Sequence, residues 1–205
     1  MHLTTTLLAL LPTTVLSHGL ISSPPSRAVG PALAANCGTA VTSKIVADNT
    51  SYIEGMPEAA AQDSGYNPSL CNLWLCKGLQ FADVPAENVQ KWTAGQVVPL
   101  KIWLRIPHLG SANVSVVDTK RNVIVGEMLK VWESGYAPGR KEEDTPIDQR
   151  EFSVMVPEGL EETCAVAGDC VLQWWWFGTG AKQTYESCVD FEIVKPAVVE
   201  RAFRA

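Results

Sequence analysis

Positive charge is scarce in this chain. Lys and Arg number 16 against 22 Asp and Glu in 205 residues, for a formal net charge of −6. A surface of that sign attracts neither a phosphate backbone nor an anionic lipid, so nucleic acid and membrane surfaces are excluded as partners. Charge of either sign is thin at 19%, while hydrophobic residues reach 46%; that balance excludes collagen, coiled coil and wholesale disorder. No Cys-x-x-Cys pair and no Cys/His cluster with zinc spacing occurs, which removes a structural zinc site. Histidine is nearly missing, with 3 in the whole chain. The apolar stretch of Leu7 to Leu11 with Val15 and Leu16 is too short to span a bilayer.

That stretch has a different reading. Met1 to Ser17 holds no Lys, Arg, Asp or Glu and ends in Val15-Leu16-Ser17, residues tolerated ahead of a cleavage site. It is a signal peptide cut after Ser17, and the protein is expected to be secreted and extracellular. In that compartment 6 cysteines imply disulfides. Six half-cystines allow fifteen pairings, of which Cys164 with Cys170, flanking a short Ala/Gly/Asp turn, closes most easily. The sequons Asn49-Thr50-Ser51 and Asn113-Val114-Ser115 fit a glycoprotein, whereas Asn67-Pro68-Ser69 is excluded by its proline.

Length and hydrophobic content suit one domain, 18–194, followed by a short tail, 195–205. The 13 prolines and 15 glycines point to many short elements joined by loops. Residues 18 to about 95 show little sustained periodicity and read as loops around short strands or helical turns. From Gln96 the texture alternates: Val97 to Ile106, Ala112 to Asp118, Asn122 to Val125, Phe152 to Val156, Val171 to Trp176 and Tyr185 to Val194 are predicted strands. Tyr136 to Asp148, charged and broken by proline, is predicted as a surface loop. The expected fold class is all-β, an immunoglobulin- or fibronectin-III-like β-sandwich with long loops, short helical turns and disulfide staples.

Cleavage after Ser17 discards His2 and makes His18 residue one, leaving His108 as the other histidine. An N-terminal histidine offers a metal its α-amine and its ring Nδ1, and a second imidazole completes a T of three neutral nitrogens. That donor set suits copper: imidazole and amine affinities peak at Cu²⁺, and a planar N₃ site with an open position is a copper geometry. His108 follows a predicted strand and Pro107, where a rigid sheet gives way to a loop. Gln183 and Tyr185, two apart on the last predicted strand, share one face. In Trp174-Trp175-Trp176-Phe177 alternate rings face opposite ways, so Trp174 and Trp176 are expected in the core rather than in a sugar platform.

The start His18-Gly19-Leu20-Ile21-Ser22-Ser23-Pro24-Pro25-Ser26-Arg27 resembles that of lytic polysaccharide monooxygenases, especially their chitin-binding-type branch. Near the other end, Gln183-Thr184-Tyr185-Glu186-Ser187-Cys188-Val189-Asp190 is similar to the Q-x-[FY]-x-x-C pattern of fungal members. Within the superfamily the likeness leans to the fungal cellulose-active auxiliary activity family sixteen. This resemblance implies His18 and His108 as copper ligands, Tyr185 in the axial position, and Gln183 beside the bound oxygen species. It implies that Cys188 pairs with Cys71 or Cys76, that Arg27 is structural, and that a substrate surface around His18 draws on residues 50–70, with Tyr52 and Tyr66 as candidates. Trp174 stands where the best-known fungal family has a histidine, so the proton donor that residue supplies is absent or replaced.

The implied activity is oxidative cleavage of an insoluble polysaccharide by one copper ion, with dioxygen or hydrogen peroxide as co-substrate and an external electron donor or redox partner protein. Cellulose oxidised at the anomeric carbon is the first expectation and chitin the second, and the protein is expected to act as a monomer. Two other readings stand beside it: a copper-binding relative that does not oxidise, and a polysaccharide-binding module without metal.

Overall fold

The computed structural model describes residues 18–195. The expected signal peptide, residues 1–17, and all of the expected tail beyond its first residue lie outside the described residues. In chain order the elements are β1 (His18–Ser23), α1 (Pro31–Ala47), α2 (Met56–Ala61), β2 (Gln90–Trp92), β3 (Val97–Ile106), β4 (Gly110–Asp118), β5 (Val123–Ile124), β6 (Lys130–Tyr136), β7 (Glu151–Met155), β8 (Cys170–Gly178) and β9 (Gln183–Ile193).

These strands form two sheets. One has the order β1-β3-β7, and the other runs β2-β9-β8-β4-β5 with β6 also paired to β4. The strict alternation of β3 explains the first: Val98, Leu100, Ile102 and Leu104 are buried, while Lys101 and Arg105 face solvent. From the second sheet Val114, Val116, Leu172, Trp174, Trp176, Tyr185 and Phe191 meet them in one core. The expected β-sandwich is therefore the fold. Trp174 and Trp176 fill its interior, with ring centroids 5.8 Å apart. Trp175 and Phe177 stack on the opposite face of β8.

The other face of β8 and β9 is covered as well. Leu33, Cys37, Val41, Ile45 and Met56 from the helices pack with Val171 and Cys188 in a second cluster. Burial on both sides explains why β8 reads as a nearly continuous apolar run.

The segment expected to hold loops around short strands or helical turns also contains the long helix α1, which the backbone breaks at Gly38 (φ 79°), a left-handed conformation that glycine adopts without steric cost. The short strands expected there are β1 and β2, which the sequence reading did not place, and it missed β6 altogether. β2 spans three residues, and β6 carries Lys130, Glu133 and Ser134 with little apolar alternation. Tyr136, expected at the head of a surface loop, is instead fully buried. Its hydroxyl donates to the Gln149 carbonyl at 3.0 Å and accepts from Trp174 Nε1 at 3.1 Å.

Three disulfides staple the layers: Cys37 to Cys71, Cys76 to Cys188, and the locally expected Cys164 to Cys170. Cys76 rather than Cys71 is thus the partner of Cys188. That bridge spans 112 residues and ties the loop layer to β9. Closing so long a loop restricts the unfolded chain most, so replacing both Cys76 and Cys188 by Ala is expected to cost about 2 to 5 kcal/mol in a denaturant titration. A midpoint within error of the unsubstituted protein would contradict that role.

Arg27 is structural, as the resemblance implied. Its guanidinium forks onto Asp190 through Nε at 2.8 Å and Nη2 at 2.7 Å, and its Nη1 donates to the Leu79 carbonyl. Both side chains are buried, so each charge depends on the other for compensation.

Candidate metal centre

β1 and β3 bring the two histidines together. In their antiparallel ladder His18 lies opposite Ile106, two residues before His108. Pro107 ends the strand, and His108 stands half-buried at the turn into β4. Burial lowers the pKa of the His108 imidazole, and the neighbouring His18 lowers it further. Both effects favour the neutral ring, the form that binds a metal.

Gly19 follows from close packing. A Cβ there would lie 3.0 Å from the Trp174 ring, 3.1 Å from Leu104 and 3.1 Å from the Trp103 carbonyl. A side chain in that space would push β1 off the sheet and carry His18 with it. Two anchors fix the same region to β9: the Ile21 amide donates to Ser187 Oγ at 3.0 Å, and the Ile53 amide donates to the Thr184 carbonyl at 3.0 Å.

Gln183 and Tyr185 share a face, as their spacing predicts. The Tyr185 hydroxyl donates to Gln183 Oε1 at 2.6 Å. The Tyr185 ring is fully buried, with its centroid 4.7 Å from that of Trp176. Trp174, at the position where a proton-donating histidine was sought, is a core residue whose only ring N–H is given to Tyr136. Tyr52 sits partly buried against the main core. Tyr66 lies elsewhere: it lines a cavity of about 650 Å³ with Thr119, Asn122 and Gly168, at the end of the sheet opposite Gly110 and Gly178. It is therefore no part of a surface around His18.

The sequence reading missed the loop that follows α1. Asp48 Oδ2 lies 2.7 Å from His18 Nε2 and accepts from Arg105 Nη1 at 3.0 Å. Asp48 Oδ1 accepts from the Thr50 amide at 2.9 Å and from its hydroxyl. Burial raises the Asp48 carboxyl, but the bonds from Thr50 and the charges of His18 and Arg105 outweigh it and hold the group below its ordinary value. Asp-Asn-Thr after a helix signals a turn. Nothing in it indicates that the turn faces residue 18.

Behind this loop Lys77 is buried, and its ammonium donates to the Asn49 and Ser51 carbonyls. Burial lowers Lys77 and raises the neighbouring Glu186, and each charge partly offsets the cost of the other.

Among the described residues no group of three or more His, Cys, Asp or Glu side chains comes together for a metal. The β-sandwich thus carries two histidines at one strand edge, His18 in β1 and His108 just past β3. The sequence matches the family described as lytic polysaccharide mono-oxygenase, cellulose-degrading, over residues 18–191, and the chain belongs to that family. Membership places it among enzymes that cleave polysaccharides oxidatively.

No curated protein matches the sequence. Solved structures similar to it include a Bacillus amyloliquefaciens CBM33 in complex with Cu(I), with 13% identity, TM-score 0.45, and coverage of 86% of this chain and 100% of that one. A chitin binding domain from Burkholderia pseudomallei is 16% identical with TM-score 0.44, covering 87% of this chain and 100% of that one. An AA15 lytic polysaccharide monooxygenase from Thermobia domestica in the Cu(I) state is 20% identical with TM-score 0.42, covering 86% of this chain and 98% of that one. No helix among the described residues is long and apolar enough to cross a membrane.

Proposed function

We propose that this chain is secreted, cut to begin at His18, and acts as a copper-dependent lytic polysaccharide monooxygenase on a crystalline polysaccharide. The observation that carries the reading is the β1–β3 register, which sets His18 two residues from the level of His108 at one sheet edge. The donor set fits copper. Two imidazoles and an α-amine are neutral nitrogen ligands, and that set ranks highest for Cu²⁺ among divalent first-row metals. Copper held there supplies one-electron redox chemistry, using an external electron donor and dioxygen or hydrogen peroxide as co-substrate.

The protein's own residues position and exclude. His18 would hold the metal by its α-amine and a ring nitrogen, and His108 would hold it by its ring. Tyr185, whose ring is buried, would face the metal and help keep water from it. Gln183 holds the Tyr185 hydroxyl, and its amide N–H groups remain able to orient an oxygen-containing ligand. Cellulose is the first substrate, supported by the family's description as cellulose-degrading. Assignment to the fungal family sixteen and attack at the anomeric carbon belong to the same proposal, and residues 18–194 are its catalytic domain.

The test is incubation of the mature protein with copper and ascorbate on cellulose and, separately, on chitin, with mass spectrometry of the soluble products. Oligosaccharides oxidised at the anomeric carbon, released from cellulose, are expected. Oxidised products from chitin alone would change the substrate. Copper binding with no oxidised product from any polymer would leave a metal-binding relative of the fold.

Tyr185→Phe addresses the axial position. The substitution keeps the packing against Trp176 and removes the bond to Gln183, for a stability loss of about 0.5 to 1.5 kcal/mol. Copper binding through three nitrogens should persist, with an altered EPR spectrum. An unchanged spectrum would reject the axial role.

A further inference from the structure

The contact between Asp48 and His18 decides which ring nitrogen carries the proton. A deprotonated carboxylate only accepts hydrogen bonds, so the nitrogen 2.7 Å from Asp48 Oδ2 is the one that carries the proton in a neutral imidazole. That nitrogen is Nε2. The lone pair is then on Nδ1, the ring nitrogen near enough to the α-amine of the same residue to chelate a metal with it. Metal-bound imidazoles commonly give their other N–H to a carboxylate, which fixes both tautomer and ring angle.

Resting on the copper reading above, we propose that Asp48 is a positioning residue that presets the His18 imidazole for chelation through Nδ1. The carboxylate is itself held from several sides. Its Oδ1 takes both the amide and the hydroxyl of Thr50, and its Oδ2 is shared between His18 and Arg105. The backbone of this turn also binds the start of β1, because the Gly19 amide donates to the Thr50 carbonyl at 3.2 Å. One turn therefore grips residue 18 by its ring and residue 19 by its backbone. Lys77, donating to the Asn49 and Ser51 carbonyls, anchors that turn from the buried side. All of these bonds come from the protein's own side chains and backbone, so the ring is restrained by the fold itself and less ordering is left to oppose copper binding.

Asp48→Asn is the discriminating substitution. Every hydrogen bond to the carboxylate comes from a donor, so an amide of the same shape must turn its NH₂ toward Thr50 or toward His18 and Arg105. Copper affinity measured by calorimetry should fall about 10- to 100-fold, the usual effect of removing the partner of a metal-bound histidine. Nitrogen-15 NMR of histidine-labelled, copper-free mature protein provides a readout that needs neither metal nor activity. The unsubstituted protein should show His18 protonated on Nε2, and Asp48→Asn should shift that tautomer balance. His18 protonated on Nδ1 in the unsubstituted protein overturns the inference, even if the variant fails to fold. So does a variant with unchanged tautomer and copper affinity. If the unsubstituted mature protein binds copper and only the Asp48 effect is missing, the copper reading stands and the positioning role falls. If it binds no copper at all, both fall.

Discussion

His108→Ala is expected to abolish high-affinity copper binding while leaving the fold intact. One of three nitrogen donors disappears, a larger change than loss of an outer partner, which alone costs about 10- to 100-fold in affinity. An affinity loss beyond about 100-fold is therefore expected by calorimetry, together with loss of the three-nitrogen EPR signature and of oxidised product. The fold should survive because His108 sits half-buried in a turn, outside both core clusters and away from all three disulfides. The unfolding midpoint should move little, as for substitutions away from packed cores, with a change of about 0.5 kcal/mol. Undiminished copper binding in this variant would remove the proposed site.

The second large effect concerns the amino terminus. Any residue left ahead of His18 turns its α-amine into an amide, which is not basic and has no lone pair for a metal at neutral pH. The free amine, with a pKa of about 7.7 to 8.0, loses its proton readily enough to coordinate. Protein carrying a single additional N-terminal residue should fold normally, because the main core is assembled from residues between Ile21 and Ile193. It should nevertheless bind copper far more weakly and release no oxidised sugar. N-terminal sequencing of secreted material should read His18-Gly19. Equal activity of extended and mature forms would contradict the chelating role of the amine.

The central strands were legible in the sequence because their packing is regular. β3 lies against one core on one face, so its alternation of Val98, Leu100, Ile102 and Leu104 with exposed residues survives as a pattern. The histidine pair was legible for a different reason: the chain has so few histidines that the proposed cleavage after Ser17 would leave only His18 and His108. The spacing of Gln183 and Tyr185 fixed their common face, since side chains two apart on a strand point the same way. β6 was not legible, because its hydrogen bonds to β4 do not require an alternating apolar face. Tyr136 was not either; its burial depends on Trp174 and Gln149, which lie beyond the reach of any local window.

Local chemistry by itself determined the class of domain and the shared face of Gln183 and Tyr185 on the last strand, because each follows from composition or from a period of a few residues. Tertiary structure alone decided the partner of Cys188, the place of Tyr66 and the contact of Asp48 with His18. Each of these depends on a contact across a long separation: 112 residues for the disulfide between Cys76 and Cys188, and a loop closed onto β1 for Asp48 and His18. Hydrogen bonds and disulfides form between groups that the whole fold brings within a few ångströms, and no period in the sequence encodes that proximity.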